Sequence, residues 1–289
     1  MRPRSFEYHA ASSLGEALNL LSQEEGTKIL AGGQSLITLM KLRLATPASL
    51  VDINSLLELN YIREEEGRIM IGALTRHDQL ATSPLIRGKC LLLAEAADLI
   101  GDQQVRNRGT IGGSLAHADP SADLPAACTA LNAEFKLTSK EGSRIVGTQD
   151  FFVDFFTTSL RQREVIEEIR IPIPSPRSGG AYGKLTKGHN DFALVAVAAQ
   201  CSLSSEGTCE AIGVVLGGVA SKPTHATETE GKLLHERIDD RMIHASALKA
   251  DAGLDPLPDP RGSSELKREM VRRLAKNTLG IAFRRARRA

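Results

Sequence analysis

The chain has 289 residues, 42% of them hydrophobic and 25% charged, with a formal net charge of +1. That length accommodates two domains with separate cores, and so small a charge makes no electrostatic case for nucleic acid or an anionic membrane. No apolar run approaches the roughly 20 residues that span a bilayer, and the segment from Met1 to His9 lacks the apolar core of a signal peptide, so the expected location is cytoplasmic, without membrane insertion.

Taken in order, Phe6 to His9 reads as a first strand. Ser12 or Ser13 caps a helix from Leu14 to Glu24, with Leu14, Leu18 and Leu21 on one face. Gly26 stops it, and Lys28 to Ala31 is a short strand entering Gly32-Gly33-Gln34-Ser35. A helix-like stretch from Leu36 to Leu44 and a strand from Ser49 to Ile53 follow. This alternation predicts a small α/β lobe up to about residue 55. A strand leading through glycines into a helix start is a common phosphate cradle, because the first helical amides are unpaired.

The second lobe is expected to begin near Leu56, with strands at 61–63 and 68–72 around the turn Glu64 to Gly67. Thr75 is placed as the cap of a helix through Leu80, and a helical region runs from Pro84 to Ile100. Then comes Gly101 to Pro125, centred on Thr110-Ile111-Gly112-Gly113-Ser114. Read as a turn, adjacent glycines permit close backbone approach, and successive amides form a concavity for anions. Ser114 adds a hydroxyl and Asp123 an acceptor for polyol hydroxyls. Two such loops some eighty residues apart could hold the two halves of one elongated dinucleotide. Neither has the Gly-x-Gly-x-x-Gly or Gly-x-x-x-x-Gly-Lys-Ser/Thr pattern, which excludes the Rossmann turn and the P-loop.

A helix over 126–131, strands at 134–138 and 144–147, and an aromatic stretch at 149–156 follow. Those phenylalanines suit a core, or the cover of a planar cofactor. Val165 to Pro172 alternates as an edge-like strand ending at proline. The Pro/Gly-rich segment 172–180 is the linker, dividing 1–176 from 177–289. Beyond it lie strands at 181–186, 194–203 and 210–217, a tight turn at Gly217-Gly218, and helices over 227–234, 239–252 and 263–288. The predicted class is α+β: a small α/β lobe, a larger mixed lobe, and a final domain of small antiparallel sheet plus helices.

Several residues have structural and functional readings side by side. Asp123 either caps helix amides or contacts a ligand. His117 lacks a partner carboxylate at triad-like spacing and reads as structural, and His225 and His244 show no metal-like pairing. Arg284, Arg285, Arg287 and Arg288 suit a solvated helix C-terminus or a partner surface. Cys90, Cys128, Cys201 and Cys209 are scattered, so buried free thiols are expected and no metal site.

Together, Ala31-Gly32-Gly33-Gln34-Ser35-Leu36 and Thr110-Ile111-Gly112-Gly113-Ser114-Leu115-Ala116-His117-Ala118-Asp119-Pro120-Ser121-Ala122-Asp123-Leu124-Pro125 closely resemble the FAD-binding (medium) subunit of the molybdenum hydroxylases. That family includes aerobic carbon monoxide dehydrogenase, xanthine dehydrogenase and aldehyde oxidoreductases, and the resemblance covers essentially the whole chain. It implies FAD at Leu30, Ala31, Gly32, Gly33, Gln34, Ser35 and Leu36 on the first loop. On the second it implies Ile100, Gly101, Val105, Gly109, Thr110, Gly112, Gly113, Ser114, Ala116, His117, Ala122 and Asp123, with Ile166 and Lys184 further on. Histidine is frequent in relatives where Gln34 stands, and asparagine where Ser114 stands. Both replacements keep hydrogen-bonding capacity but change reach.

The resemblance implies an oxidoreductase subunit in a three-part enzyme. A large molybdopterin subunit oxidises substrate, a small subunit with two 2Fe–2S clusters relays electrons, and this chain passes them through FAD to an external acceptor. No catalytic acid, base or nucleophile is then required of this chain, in keeping with the lack of a convincing triad. The rivals are a self-contained flavin oxidase and a non-catalytic flavin- or nucleotide-binding module.

Overall fold

A computed structural model describes residues 2–23 and 25–289. The first lobe runs β1 (Glu7–Ala10), α1 (Leu14–Gln23), β2 (Lys28–Leu30), α2 (Leu36–Lys41) and β3 (Ser49–Asp52). The strands pair in the order β1-β3-β2, both pairs parallel, as helical crossovers require. α1 turns Ala17, Leu18 and Leu21 inward; its expected last residue, Glu24, lies outside the described residues. α2 is shorter than the pattern suggests, because Arg43 takes a left-handed φ of 62° and turns the chain away.

The second lobe contains β4 (Ile62–Glu65), β5 (Arg68–Gly72), α3 (His77–Thr82), α4 (Pro84–Lys89), α5 (Leu91–Asp98), α6 (Gln103–Arg108), α7 (Ile111–His117) and α8 (Asp123–Ala130). β6 (Glu134–Ser139), β7 (Gly142–Gly147), α9 (Thr148–Phe151), the short hairpin β8 (Phe152–Asp154) and β9 (Thr157–Thr158), and β10 (Val165–Pro172) complete it. The larger sheet has the order β4-β5-β10-β6-β7. β10 is therefore its central strand, not an edge: Pro172 occupies only the last position, paired with Arg68, where a missing N–H costs the ladder little. A register shift between Ile166 and Glu168 marks a bulge.

Other expectations are corrected. Thr75 does not cap α3; its hydroxyl donates to the Tyr61 carbonyl, and Gln79 Oε1 instead accepts from the Arg76 amide at 2.8 Å. The region 84–100 breaks at Cys90 into two helices. The paired glycines 112 and 113 lie not in a turn but inside α7, with Thr110 as N-cap and left-handed Ala118 ending it. α6, capped by Asp102, is a helix to which the sequence reading assigns no element. Phe151 and Phe152 pack edgewise on Phe135, with centroids 4.6 and 6.1 Å away, contacts worth about 1 kcal/mol each beyond burial. Phe155 and Phe156 point outward at the hairpin tip.

The last domain has the antiparallel sheet β11 (Ser178–Leu185), β12 (Val195–Leu203), β13 (Cys209–Gly217) and β14 (Thr224–His225), with α10 (Thr227–Leu233), α11 (Asp240–Ala247) and α12 (Ser264–Arg288). β12 is buried on both faces. Val195, Val197 and Ala199 pack under Val271, Leu279 and Phe283 of α12, while Ala196 and Ala198 join the core of the second lobe. Arg285 reaches from α12 to α5 and holds Glu95 Oε1 at 2.6 Å, and Arg287 donates to the Ile238 carbonyl. These two arginines are thus tied down within the chain. All four cysteines are buried and free.

Candidate cofactor site

The first glycine segment ends β2 and forms the floor of a cleft of about 280 Å³. Its lining includes Leu30, Ala31, Gly32, Gly33, Gln34, Lys41, Asp52, Asn54 and Arg108. Gly33 has φ +75°, a conformation that side chains strain to adopt. Gly32 is required for a different reason: a Cβ there would lie 2.2 Å from the Arg108 carbonyl oxygen. The two glycine-bearing segments, far apart in sequence, are therefore packed backbone against backbone. Among the described residues, the amides of Gly32, Gly33, Gln34 and Ser35 donate to no protein acceptor.

The second segment uses its amides differently. Ile111 N–H donates to Thr75 O, Gly112 N–H to Ala73 O, and Ser114 N–H to Thr110 O. Gly113 N–H donates to Thr110 Oγ1 at 3.2 Å. What this segment offers is a small-residue surface: Gly113 and Ala116 are exposed, and Ser114 and His117 half-buried. A Cβ on Gly113 would lie 4.0 Å from that of Ala31, so one end of α7 adjoins the first cleft. At the other end the His117 ring sits 5.2 Å from Phe156. Phe156 belongs to a second cleft of about 630 Å³ between the second lobe and the last domain, with Asp119, Pro120, Phe155, Phe192 and Val219 in its walls.

The remaining candidates scatter. Ser35 and Leu36 begin α2. Ile100, Gly101 and Val105 are half-buried around the start of α6, where Val105 fills the space beside Gly101. Gly109, Thr110 and Gly112 are buried beneath the surface of α7, and Ala122 is the N-cap of α8. Ile166 lies in the hydrophobic core rather than on either cleft wall. Asp123 and Lys184 are brought together: Lys184 Nζ donates to Asp123 Oδ2 at 2.9 Å, with each side chain 5% exposed. Tyr182 Oη donates to Asp123 Oδ1 at 2.9 Å, and Lys184 also donates to the Leu99 carbonyl. Burial pushes the Asp123 carboxyl up, against the pull of Lys184 and Tyr182, and pushes the Tyr182 phenol well above its ordinary value.

Four residues at the first cleft carry no motif and are missed by sequence reading: Lys41, Asp52, Asn54 and Arg108. Burial acts upward on the Asp52 carboxyl, but Asn54 and Tyr8 as donors, with the Arg108 charge, hold it below the usual carboxylate range. Among the described residues neither Lys41 nor Arg108 has a carboxylate within 4.0 Å, although Arg108 acts on Asp52 at longer range. Unpaired amides beside two cations, only one of them partly offset by Asp52, suit a diphosphate. A Cβ on Gly32 would collide with the Arg108 carbonyl, closing the contact between the two loops. These features fit a flavin dinucleotide held by its phosphates. Among the described residues there is no cluster of metal-ligating side chains and no helix long and apolar enough to cross a membrane.

Comparison with known proteins bears directly on this fit. The family described as FAD binding domain in molybdopterin dehydrogenase matches residues 4–174, and the CO dehydrogenase flavoprotein C-terminal domain matches residues 180–282. The chain is 40% identical to the glyceraldehyde dehydrogenase medium chain of Sulfolobus acidocaldarius, over 94% of this chain and 96% of that one. It is 41% identical to the carbon monoxide dehydrogenase medium chain of Hydrogenophaga pseudoflava, over 99% of each. A solved structure of carbon monoxide dehydrogenase from Hydrogenophaga pseudoflava superposes with a TM-score of 0.95 at 42% identity, covering 99% of each chain. The two matched regions, in this order and on this fold, place the chain in the FAD-binding medium-subunit family of the molybdenum hydroxylases.

Proposed function

We propose that this chain is the electron-transfer subunit of a heterotrimeric molybdenum hydroxylase, taking electrons from 2Fe–2S clusters on a small partner and delivering them to an external acceptor. A large molybdopterin partner would oxidise the substrate, and the assembly would be cytoplasmic. The observation that carries the reading is the row of unpaired amides from Gly32 to Ser35 beside Lys41 and Arg108. In this reading those groups hold the diphosphate, and Gly113, Ser114, Ala116 and His117 present the surface along which the flavin extends. Bound FAD supplies the conversion between single-electron and paired-electron transfer. The protein positions it and excludes side reactions. Residues 1–176 then form the FAD-binding domain and 177–289 the last domain.

Relatives of almost equal identity carry the names of different substrates, glyceraldehyde and carbon monoxide, which fits substrate choice residing on the molybdenum partner. Purified protein is expected to be yellow and to release FAD on acid or heat treatment. Co-expressed with its small and large partners it should co-purify, and the large subunit's substrate should reduce the flavin in the complex but not in the isolated chain. Turnover of an organic substrate by the isolated chain would instead establish the self-contained oxidase.

A further inference from the structure

The half-buried guanidinium of Arg76 lies behind the wall of the first cleft, touching the second glycine segment directly and the first through Asn54. Its Nη1 donates to the Arg108 carbonyl at 2.6 Å, the same oxygen against which Gly32 is packed. Its Nη2 donates to Asn54 Oδ1 at 2.9 Å. Asn54 in turn donates through Nδ2 to the Ala31 carbonyl at 2.6 Å and to Asp52 Oδ1 at 2.7 Å. One side chain from the second lobe thus reaches, through a single intermediary, the residue preceding Gly32 in the first lobe. Directly, it reaches the residue preceding Gly109.

Planar geometry is central to this arrangement. A guanidinium presents paired donors in a fixed fork, which a lysine ammonium cannot reproduce. No carboxylate forms an ion pair with Arg76 among the described residues. Burial weighs most against its charge; Arg108 also opposes it and Asp52 supports it. Tyr8 and Asn54, as neutral donors, hold Asp52 in its ionised form, so it offsets part of the positive charge. One carboxylate against Lys41, Arg76 and Arg108 still leaves the cleft net cationic.

We infer that Arg76 is a positioning residue for the diphosphate of the dinucleotide: it brackets the two glycine segments at their working separation and adds positive charge behind them. This rests on the reading of the cleft as the FAD site. It has two separable parts, bracket and charge, which different substitutions distinguish.

The test uses the full-length chain stripped of flavin, titrated with FAD and separately with ADP, each at several ionic strengths. In the wild type, log Kd should rise with salt, as expected for charge-assisted phosphate binding. Arg76→Met should raise the Kd for FAD and for ADP at least tenfold at low salt and flatten the salt slope. Arg76→Lys should keep the slope while still weakening binding, because charge survives and the bracket does not. Asn54→Ala, which removes the bracket and leaves Arg76 in place, should weaken binding with the wild-type slope. A purely structural role would lower affinity in all three variants without changing the slope in Arg76→Met alone. If Arg76→Met does not fold by circular dichroism, Arg76→Lys and Asn54→Ala still decide: wild-type affinity in both overturns the inference. So does a folded Arg76→Met that binds FAD within twofold of wild type with the same slope. A wild-type chain that binds neither FAD nor ADP would fail the cofactor reading itself, a different result from either.

Discussion

His77, the first residue of α3, is packed so tightly that a Cβ added to Gly109 would lie 2.5 Å from its ring. Burial, helped by the Arg76 charge, lowers its pKa from 6.5 to about 4. The unfolded chain therefore binds a proton between those values that the folded chain refuses. Stability from this group is complete above pH 6.5 and is lost as pH falls toward 4, by about 3 kcal/mol in all. His77→Phe, which keeps an aromatic ring, should flatten the fall in urea midpoint between pH 6.5 and 4. Equal slopes in variant and wild type would show that His77 is not its source. The loop glycines make a second residue-scale prediction. Gly33→Val must place a β-branched side chain at φ +75°, and Gly113→Val would put a Cβ 2.8 Å from Thr110 Oγ1 and bulk beside Ala31. Each is expected to abolish flavin retention with the circular dichroism spectrum preserved. Flavin absorbance per mole of protein is the measurement, and normal content in both would make these glycines merely structural.

At the scale of elements, the first lobe is legible because its signals are local: apolar positions spaced for α1, short strands between helices, and Gly26 as punctuation. α7 is not, since two adjacent glycines each disfavour a helix by about 1 kcal/mol. Tertiary packing overrides that preference. Gly112 lies against Ala73, where a Cβ would approach to 2.6 Å, and Thr110 supplies the cap. β10 misleads for a related reason, since a terminal proline suggests an edge and only the long-range pairings with β5 and β6 reveal a centre. Of the candidate site, the glycine segments can be read from sequence. Arg76, Asn54 and Arg108 cannot, because each acts through a contact to residues more than twenty positions away. The cap itself is testable. Thr110→Ala should cost about 1 kcal/mol by denaturant unfolding, and Thr110→Ser should recover most of it. No difference between the two variants would remove the cap from this account of α7.

At the scale of the whole molecule, two charge contacts join the last domain to the second lobe beside the apolar core that they share. Lys184 and Tyr182 on β11 both converge on Asp123 at the start of α8, and Arg285 on α12 reaches Glu95 on α5, whose Oε2 also accepts from the Tyr182 amide at 3.1 Å. Lys184 also donates to the Leu99 carbonyl, tying β11 to the loop before α6. A charge this deep is tolerable only with its partner. Lys184→Met should leave the Asp123 carboxylate buried and unpaired, a loss of about 3–5 kcal/mol. Asp123→Asn combined with Lys184→Met removes both charges, and should be less destabilised than Lys184→Met alone despite carrying one more substitution. That reversal is the signature of a coupled pair, and urea unfolding of the two single variants and the double measures it. If the losses simply add, Asp123 and Lys184 act independently, and the domain docking must rest on Arg285, Glu95 and the shared core around Ala196 and Ala198.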